Sequence, residues 1–134
     1  MSYRSSSKDN VSNTSSNVSS SREKKGLFFV QIYAAAKSED EDEALEALNE
    51  LKDILSEEVR ANEVLSKGKL VGWDEPYLEE DEGVFVAYDN FILETKEFVE
   101  TIEKELNEIK LKALKKHSKP KLCEIEWEIC EFEK

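Results

Sequence analysis

The sequence predicts an α+β domain, a four-stranded antiparallel sheet with two helices on one face, preceded by a disordered tail. Three observations predict it. Leu27–Ala36 is a nearly unbroken apolar run rich in β-branched and aromatic residues. Two later segments, around 45–59 and 98–114, carry apolar residues at helical spacing, with short β-rich runs between and after them. Residues 1–25 are Ser/Asn-rich and weakly basic, with scarcely an apolar side chain beyond Tyr3, Val11 and Val18.

Such a tail cannot bury enough surface to offset the entropy of ordering it. The sequence therefore divides into a tail, 1–25, and one domain, 26–134. The sequons at Asn10, Asn13 and Asn17 are read as chance products of an Asn/Ser-rich segment. In Leu27–Ala36, Phe28, Val30 and Ile32 alternate with Leu27, Phe29, Gln31 and Tyr33, so both faces are largely apolar, as in a central strand. Ser38-Glu39-Asp40-Glu41 matches a capping box with Ser38 as N-cap, and its acidic turn suits a helix N-terminus. Leu45, Leu48, Leu51, Leu55 and Val59 form the stripe of that helix, which is expected to stop before Lys67-Gly68.

Lys69–Trp73 reads as a short strand. Asp74–Gly83 reads as an acidic loop punctuated by Pro76 and Gly83. Val84–Phe91 is the third strand, with Val84, Val86 and Tyr88 on one face. A second helix is expected from Thr95, with Phe98, Ile102, Leu106, Ile109 and Ala113 as its stripe, a basic end at Lys110–His117, and Pro120 closing it. Leu122–Phe132 alternates as a last strand, Cys123, Ile125, Trp127 and Ile129 against Glu124, Glu126 and Glu128. The alternation breaks at Ile129-Cys130, where a bulge or fraying is expected.

The order β-α-β-β-α-β is that of the ferredoxin-like split arrangement. Right-handed crossovers then place both helices on one face and leave the other open. If Phe28, Val30, Ile32 and Trp127 face the helices, Phe29, Gln31, Tyr33 and the Glu124/Glu126/Glu128 row lie on the open face. Gly83-Val84-Phe85-Val86-Ala87-Tyr88 resembles the third-strand motif of the RNA-recognition-motif family, and Phe29 echoes its first-strand aromatic. That resemblance implies a base-stacking platform. The chain departs from it at Glu82, where the family carries a basic residue, and the row of Glu beside the platform would repel RNA.

Charge excludes more than it identifies. The formal net charge is −12 and the pI is about 4.6, so a nucleic-acid backbone is not expected as a direct partner. Between Ser38 and Ile109, 24 acidic residues stand against six basic ones, a net of −18, while the tail and Lys110–Lys121 are basic. No catalytic, cofactor-binding or metal-ligating set is expected. His117 is the one histidine and reads as an exposed helix cap. Cys123 and Cys130 lack a Cys-X-X-Cys spacing, and in one strand they would be roughly 23 Å apart at about 3.3 Å per residue, beyond disulfide reach. Two thiols and the absence of an apolar leader point to a cytoplasmic setting, and no run approaches a membrane span.

The function expected is a non-enzymatic, acidic protein-interaction module. Its partner is a protein, basic or nucleic-acid-binding in character, or a second copy forming a homodimer. The contact residues expected on the sheet are Phe29, Tyr33, Glu124, Glu126 and Glu128. Those expected on the acidic loop are Trp73, Tyr77, Glu79, Glu80, Asp81 and Glu82. The alternatives are a nucleic-acid mimic of viral or plasmid type, whose carboxylates stand in for phosphates, and a small dimeric ferredoxin-like enzyme or ligand-binding protein.

Overall fold

The computed structural model describes residues 2–4 and 26–131. It is α+β, with two helices and an antiparallel sheet. The strands are β1 (Ser2–Arg4), β2 (Gly26–Ser38), β3 (Lys69–Val71), β4 (Tyr77–Asp81), β5 (Val84–Glu97) and β6 (Cys123–Glu131). The helices are α1 (Glu41–Ala61) and α2 (Val99–Lys116), with short 3₁₀ turns at Leu65–Lys67 and Pro120–Leu122. The strand order is β1-β6-β2-β5-β3, with β4 also on β5.

The sheet therefore has five strand positions, not the four expected, and two features of the chain account for the difference. β3 pairs with Ile92–Glu94 and β4 with Val84–Tyr88, so both occupy the same edge of β5. The chain between them holds Gly72 and Pro76 and interrupts the ladder. The added position is β1, whose Ser2, Tyr3 and Arg4 pair with Cys130, Ile129 and Glu128. These three residues fall inside the segment expected to be disordered; residue 1 and residues 5–25, including the three sequons, lie outside the described residues.

β2 is central and longer than the apolar run that announces it. It pairs along its whole length with β5 and from Phe28 to Ala36 with β6. β5 likewise runs on to Glu97, and α2 starts at Val99 instead of Thr95, because residues 92–97 are paired with β2, and 92–94 with β3 as well. The ladder between β2 and β6 is unbroken through Ile129, Cys130 and Glu131, so the expected bulge is absent there. Cys130 continues the alternation on the outer face.

The strand period of 2 sorts the side chains. Phe28, Val30, Ile32, Ala34 and Ala36 of β2, Phe91 and Leu93 of β5, and Ile125, Trp127 and Ile129 of β6 are all buried on the helix side. α1 meets them with Ala44, Leu48, Leu51, Leu55 and Val59, and α2 with Val99, Ile102, Leu106, Ile109 and Ala113. The small side chains Ala34, Ala36 and Ala44 let α1 lie close to the sheet.

α1 begins two residues later than the capping box suggests. Asp40 is the N-cap and accepts from the backbone N–H of Asp42 and Glu43 at 2.9 and 3.3 Å. Ser38 ends β2; its hydroxyl donates to Glu43 and accepts from Asp40 N–H. Ser38 is still paired with Phe85 in the sheet, so Asp40, which immediately precedes the first helical residue, takes the capping role. At the far end, Asn62 Oδ1 accepts from the N–H groups of Val64 and Leu65, and its Nδ2 donates to Glu105 on α2.

Gly68 has a packing reason. A Cβ there would lie 2.5 Å from the carbonyl oxygen of Glu94 and 3.0 Å from Leu93. The obstacle is strand backbone, which cannot swing aside. Gly68→Ala is expected to cost about 1–3 kcal/mol by overpacking, read as a lowered urea midpoint.

Candidate interaction surface on the outer sheet face

The face of the sheet away from the helices is built from the other half of each alternation. From β6 across β2 to β5, the register sets Glu128 beside Gln31 and Ile92, Glu126 beside Tyr33 and Asn90, and Glu124 beside Ala35 and Tyr88. β4 adds Tyr77 opposite Tyr88, and then Glu79 opposite Val86. Gln31 Nε2 donates to Asn90 Oδ1 at 3.1 Å and ties β2 to β5 across the middle of this face.

Ala35 is the small residue in a row of large ones. It leaves a shallow hollow of about 290 Å³ lined by Tyr33, Ala35, Tyr88, Glu124 and Glu126. Tyr88 is held in place on two counts. Its ring stacks on Tyr77, with centroids 5.3 Å apart and planes at 25°, and its hydroxyl donates to Glu79 Oε2 at 2.8 Å. That hydrogen bond raises the pKa of the phenol above 10.0, so Tyr88 is neutral at physiological pH. Glu124 makes an ion pair with Lys37 at 3.6 Å, with both side chains more than half exposed. An exposed pair of this kind is weak and exchanges readily for another cation.

The expected contact residues divide. Phe29, Tyr33, Tyr77, Glu79, Asp81, Glu124, Glu126 and Glu128 lie on the outer face by register. Glu80, opposite Phe85, points to the other face. Glu82 sits with Gly83 in a two-residue hairpin turn in which both have positive φ, 54° and 82°, as a tight primed turn requires. The expected acidic loop is thus in large part a strand and its turn. Trp73 packs inward against the core instead of lying on this face. It is half-buried, its ring lies 4.3 Å from Phe91, and its Nε1 donates to Ser56 Oγ at 2.9 Å. Tyr88 and Ala35 were missing from the expected set, although the alternation of Val84, Val86 and Tyr88 already places Tyr88 on one face of its strand.

His117 is buried, contrary to its reading as an exposed cap. Its Nδ1 accepts from Lys119 N–H at 2.8 Å, which assigns the ring proton to Nε2, directed at the carbonyl oxygen of Ala47, also at 2.8 Å. Cys123 Sγ lies 3.4 Å from the same Nε2 and donates to Lys119 O at 3.6 Å. This Cys–His pair has no free imidazole nitrogen to take the thiol proton. Burial, with Glu50 nearby, pushes the thiol up to about 11, away from the thiolate that nucleophilic chemistry needs. Both cysteines are unpaired thiols. Among the described residues, no three His, Cys, Asp or Glu side chains converge as a metal site.

The basic end of α2 folds back onto α1. Lys119 Nζ is 2.6 Å from Glu43 Oε2, Lys116 pairs with the buried Glu58, and Ser118 donates through N–H and Oγ to Glu50 at 2.9 and 2.7 Å. Hydrogen bonds from Lys119 and Ser38 lower the pKa of Glu43, and those from Ser118 lower that of Glu50. Hydrogen bonds to Glu58 and Glu43 raise Lys116 and Lys119. A lowered carboxylate contributes stability above its unfolded value, here 4.5, and loses it as pH falls through the folded value. A raised lysine contributes below 10.5 and loses it as pH rises through the folded value. Urea midpoints are therefore expected to be flat between about pH 4.5 and 9, to fall below that range, and to fall above it as the Cys123 thiol, raised from 9.0 to about 11 in the fold, ionises first in the unfolded chain. Glu50→Gln is expected to make the acid arm shallower.

No helix among the described residues is long and apolar enough to cross a membrane. Comparison with known protein families and with curated proteins gave no match. Among solved structures, the chain is similar to a de novo designed protein, Foldit4, with 16% identity, a TM-score of 0.41, and coverage of 80% of this chain and 99% of that one. A likeness at that level brings neither fold nor function to this chain.

Proposed function

We propose that the protein is a non-enzymatic interaction module that holds a basic segment of a partner protein against the outer face of its sheet. The observation that carries this reading is the hollow over Ala35, where two tyrosines and two carboxylates meet on the side of the sheet that the helices leave uncovered. Aromatic rings flanked by carboxylates suit a partner that is apolar along its stem and positive at its tip. The reading takes the architecture as ferredoxin-like, with β3 and β4 together standing for its second strand and β1 as an added edge. It also takes the setting as cytoplasmic, where Cys123 and Cys130 stay reduced.

Charge favours a different protein over a second copy, since a homodimer through this face would bring two acidic surfaces together. The nucleic-acid mimic has less support than the module. It needs carboxylates of the first helix and the acidic loop to stand in for phosphates, and three of those on α1, Glu43, Glu50 and Glu58, are engaged by Lys119, Ser118 and Lys116. The enzyme reading lacks a base for its one Cys–His pair.

Panning a randomised peptide library on the immobilised full chain tests the proposal. Enrichment of lysine and arginine, in peptides whose binding weakens with added salt, is the expected result. Enrichment of acidic or purely apolar peptides contradicts it, as does the absence of any enrichment.

A further inference from the structure

We infer that the hollow over Ala35 receives a single arginine side chain of the partner. This rests on the proposed function and specifies its contact. The site has three parts. Ala35 is the floor, and its lack of side chain beyond Cβ creates the volume, about 290 Å³, which has room for one long side chain and lies at the lower end of ligand-cleft sizes, about 300–1,000 Å³.

One wall is aromatic. Tyr88 pairs with Ala35 across the strands, and its orientation is fixed by Tyr77 and by the bond to Glu79. A hydroxyl that donates to a carboxylate makes its ring richer in electrons and a better face for a cation. The opposite wall is Glu124 and Glu126, which flank Ala35 and Tyr33 on β6.

A guanidinium satisfies all three at once. It stacks flat on a tyrosine, its fork presents paired N–H donors to a carboxylate, and it is more weakly hydrated than an ammonium. Its methylene stem lies over the apolar floor. Lys37, already 3.6 Å from Glu124, shows that this rim attracts a cation, and that exposed pair gives way at little cost.

The test uses the full chain and the tightest basic peptide selected on it. Ala35→Leu fills the hollow from an outer-face position and leaves the helix-side core untouched. It is expected to weaken that peptide about tenfold, the size of one cation–aromatic contact plus one exposed ion pair. Replacing one arginine of the peptide by citrulline, which keeps shape and removes charge, should weaken wild type by a similar factor and Ala35→Leu far less. Replacing it by lysine should weaken wild type as well. Tyr88→Phe keeps the ring and loses the Glu79 bond, and a smaller loss is expected.

If the peptide binds Ala35→Leu as tightly as wild type, or if lysine serves as well as arginine, the inference is overturned while the interaction module stands. If no basic peptide binds wild type, the module itself falls. Circular dichroism of each variant separates loss of contact from loss of fold.

Discussion

Trp127→Ala is expected to remove about 3–5 kcal/mol of stability, the usual cost of emptying a large aromatic site in a packed core. A domain of this kind holds roughly 5–15 kcal/mol in total, so the variant should be close to unfolding at room temperature. Trp127 is 0% exposed and lies opposite Ile32 on the central strand. Lys110 Nζ of α2 lies 5.8 Å from the centroid of its ring, so the side chain joins the last strand to the second helix. Its Nε1 is buried without a hydrogen-bond partner among the described residues. That detail separates two variants. Trp127→Phe gives up part of the indole volume but also removes a buried donor that gains nothing, and it should cost only about 1–2 kcal/mol. Urea denaturation of both variants checks the difference.

Lys52→Met is expected to cost about 3–5 kcal/mol for a different reason. Asp89 is 0% exposed and lies on the helix side of β5, between the core residues Ala87 and Phe91. Lys52 of α1 reaches it at 2.7 Å and is itself largely buried under Trp73, whose ring centroid is 5.4 Å from Nζ. The other Asp89 oxygen accepts from Asn90 N–H at 2.7 Å. Removing the lysine leaves a buried carboxylate with no counter-charge, the costly half of a broken ion pair. Asp89→Asn in the Lys52→Met background takes that charge away and should recover a large part of the loss. If the double variant is no more stable than the single one, the cost comes from packing and the electrostatic account of this site is wrong.

The two helices and the central strand were legible because they rest on strong local signals. Leu48, Leu51 and Leu55 recur at helical spacing, and Phe28, Val30 and Ile32 recur at strand spacing. What was hidden depends on residues far apart in the chain. Asp89 looks like a surface residue until Lys52, 37 positions earlier, is placed above it. His117 looks like an exposed cap because its acceptor is the carbonyl of Ala47, 70 positions away. Residues 77–81 read as a loop because five exposed residues, three of them acidic, carry no apolar face; only the ladder with β5 and the Glu82-Gly83 turn make them a strand. β1 is three residues in a segment of loop-like composition, and no periodicity can signal a strand so short.

On the outer face, the acidic and aromatic content was legible, but the hollow was not. It arises from Ala35, a residue too small to be noticed in a run of alanines, set by register between Glu124 and Tyr88.

Amide chemical shifts of the uniformly labelled full chain, followed while the selected basic peptide is titrated in, test the central claim most directly. The account predicts that the largest changes fall on Tyr33, Ala35, Tyr88, Glu124 and Glu126, with smaller ones along β4, and that salt suppresses them together. Changes concentrated on the exposed face of α1, with the outer sheet face unmoved, would contradict it.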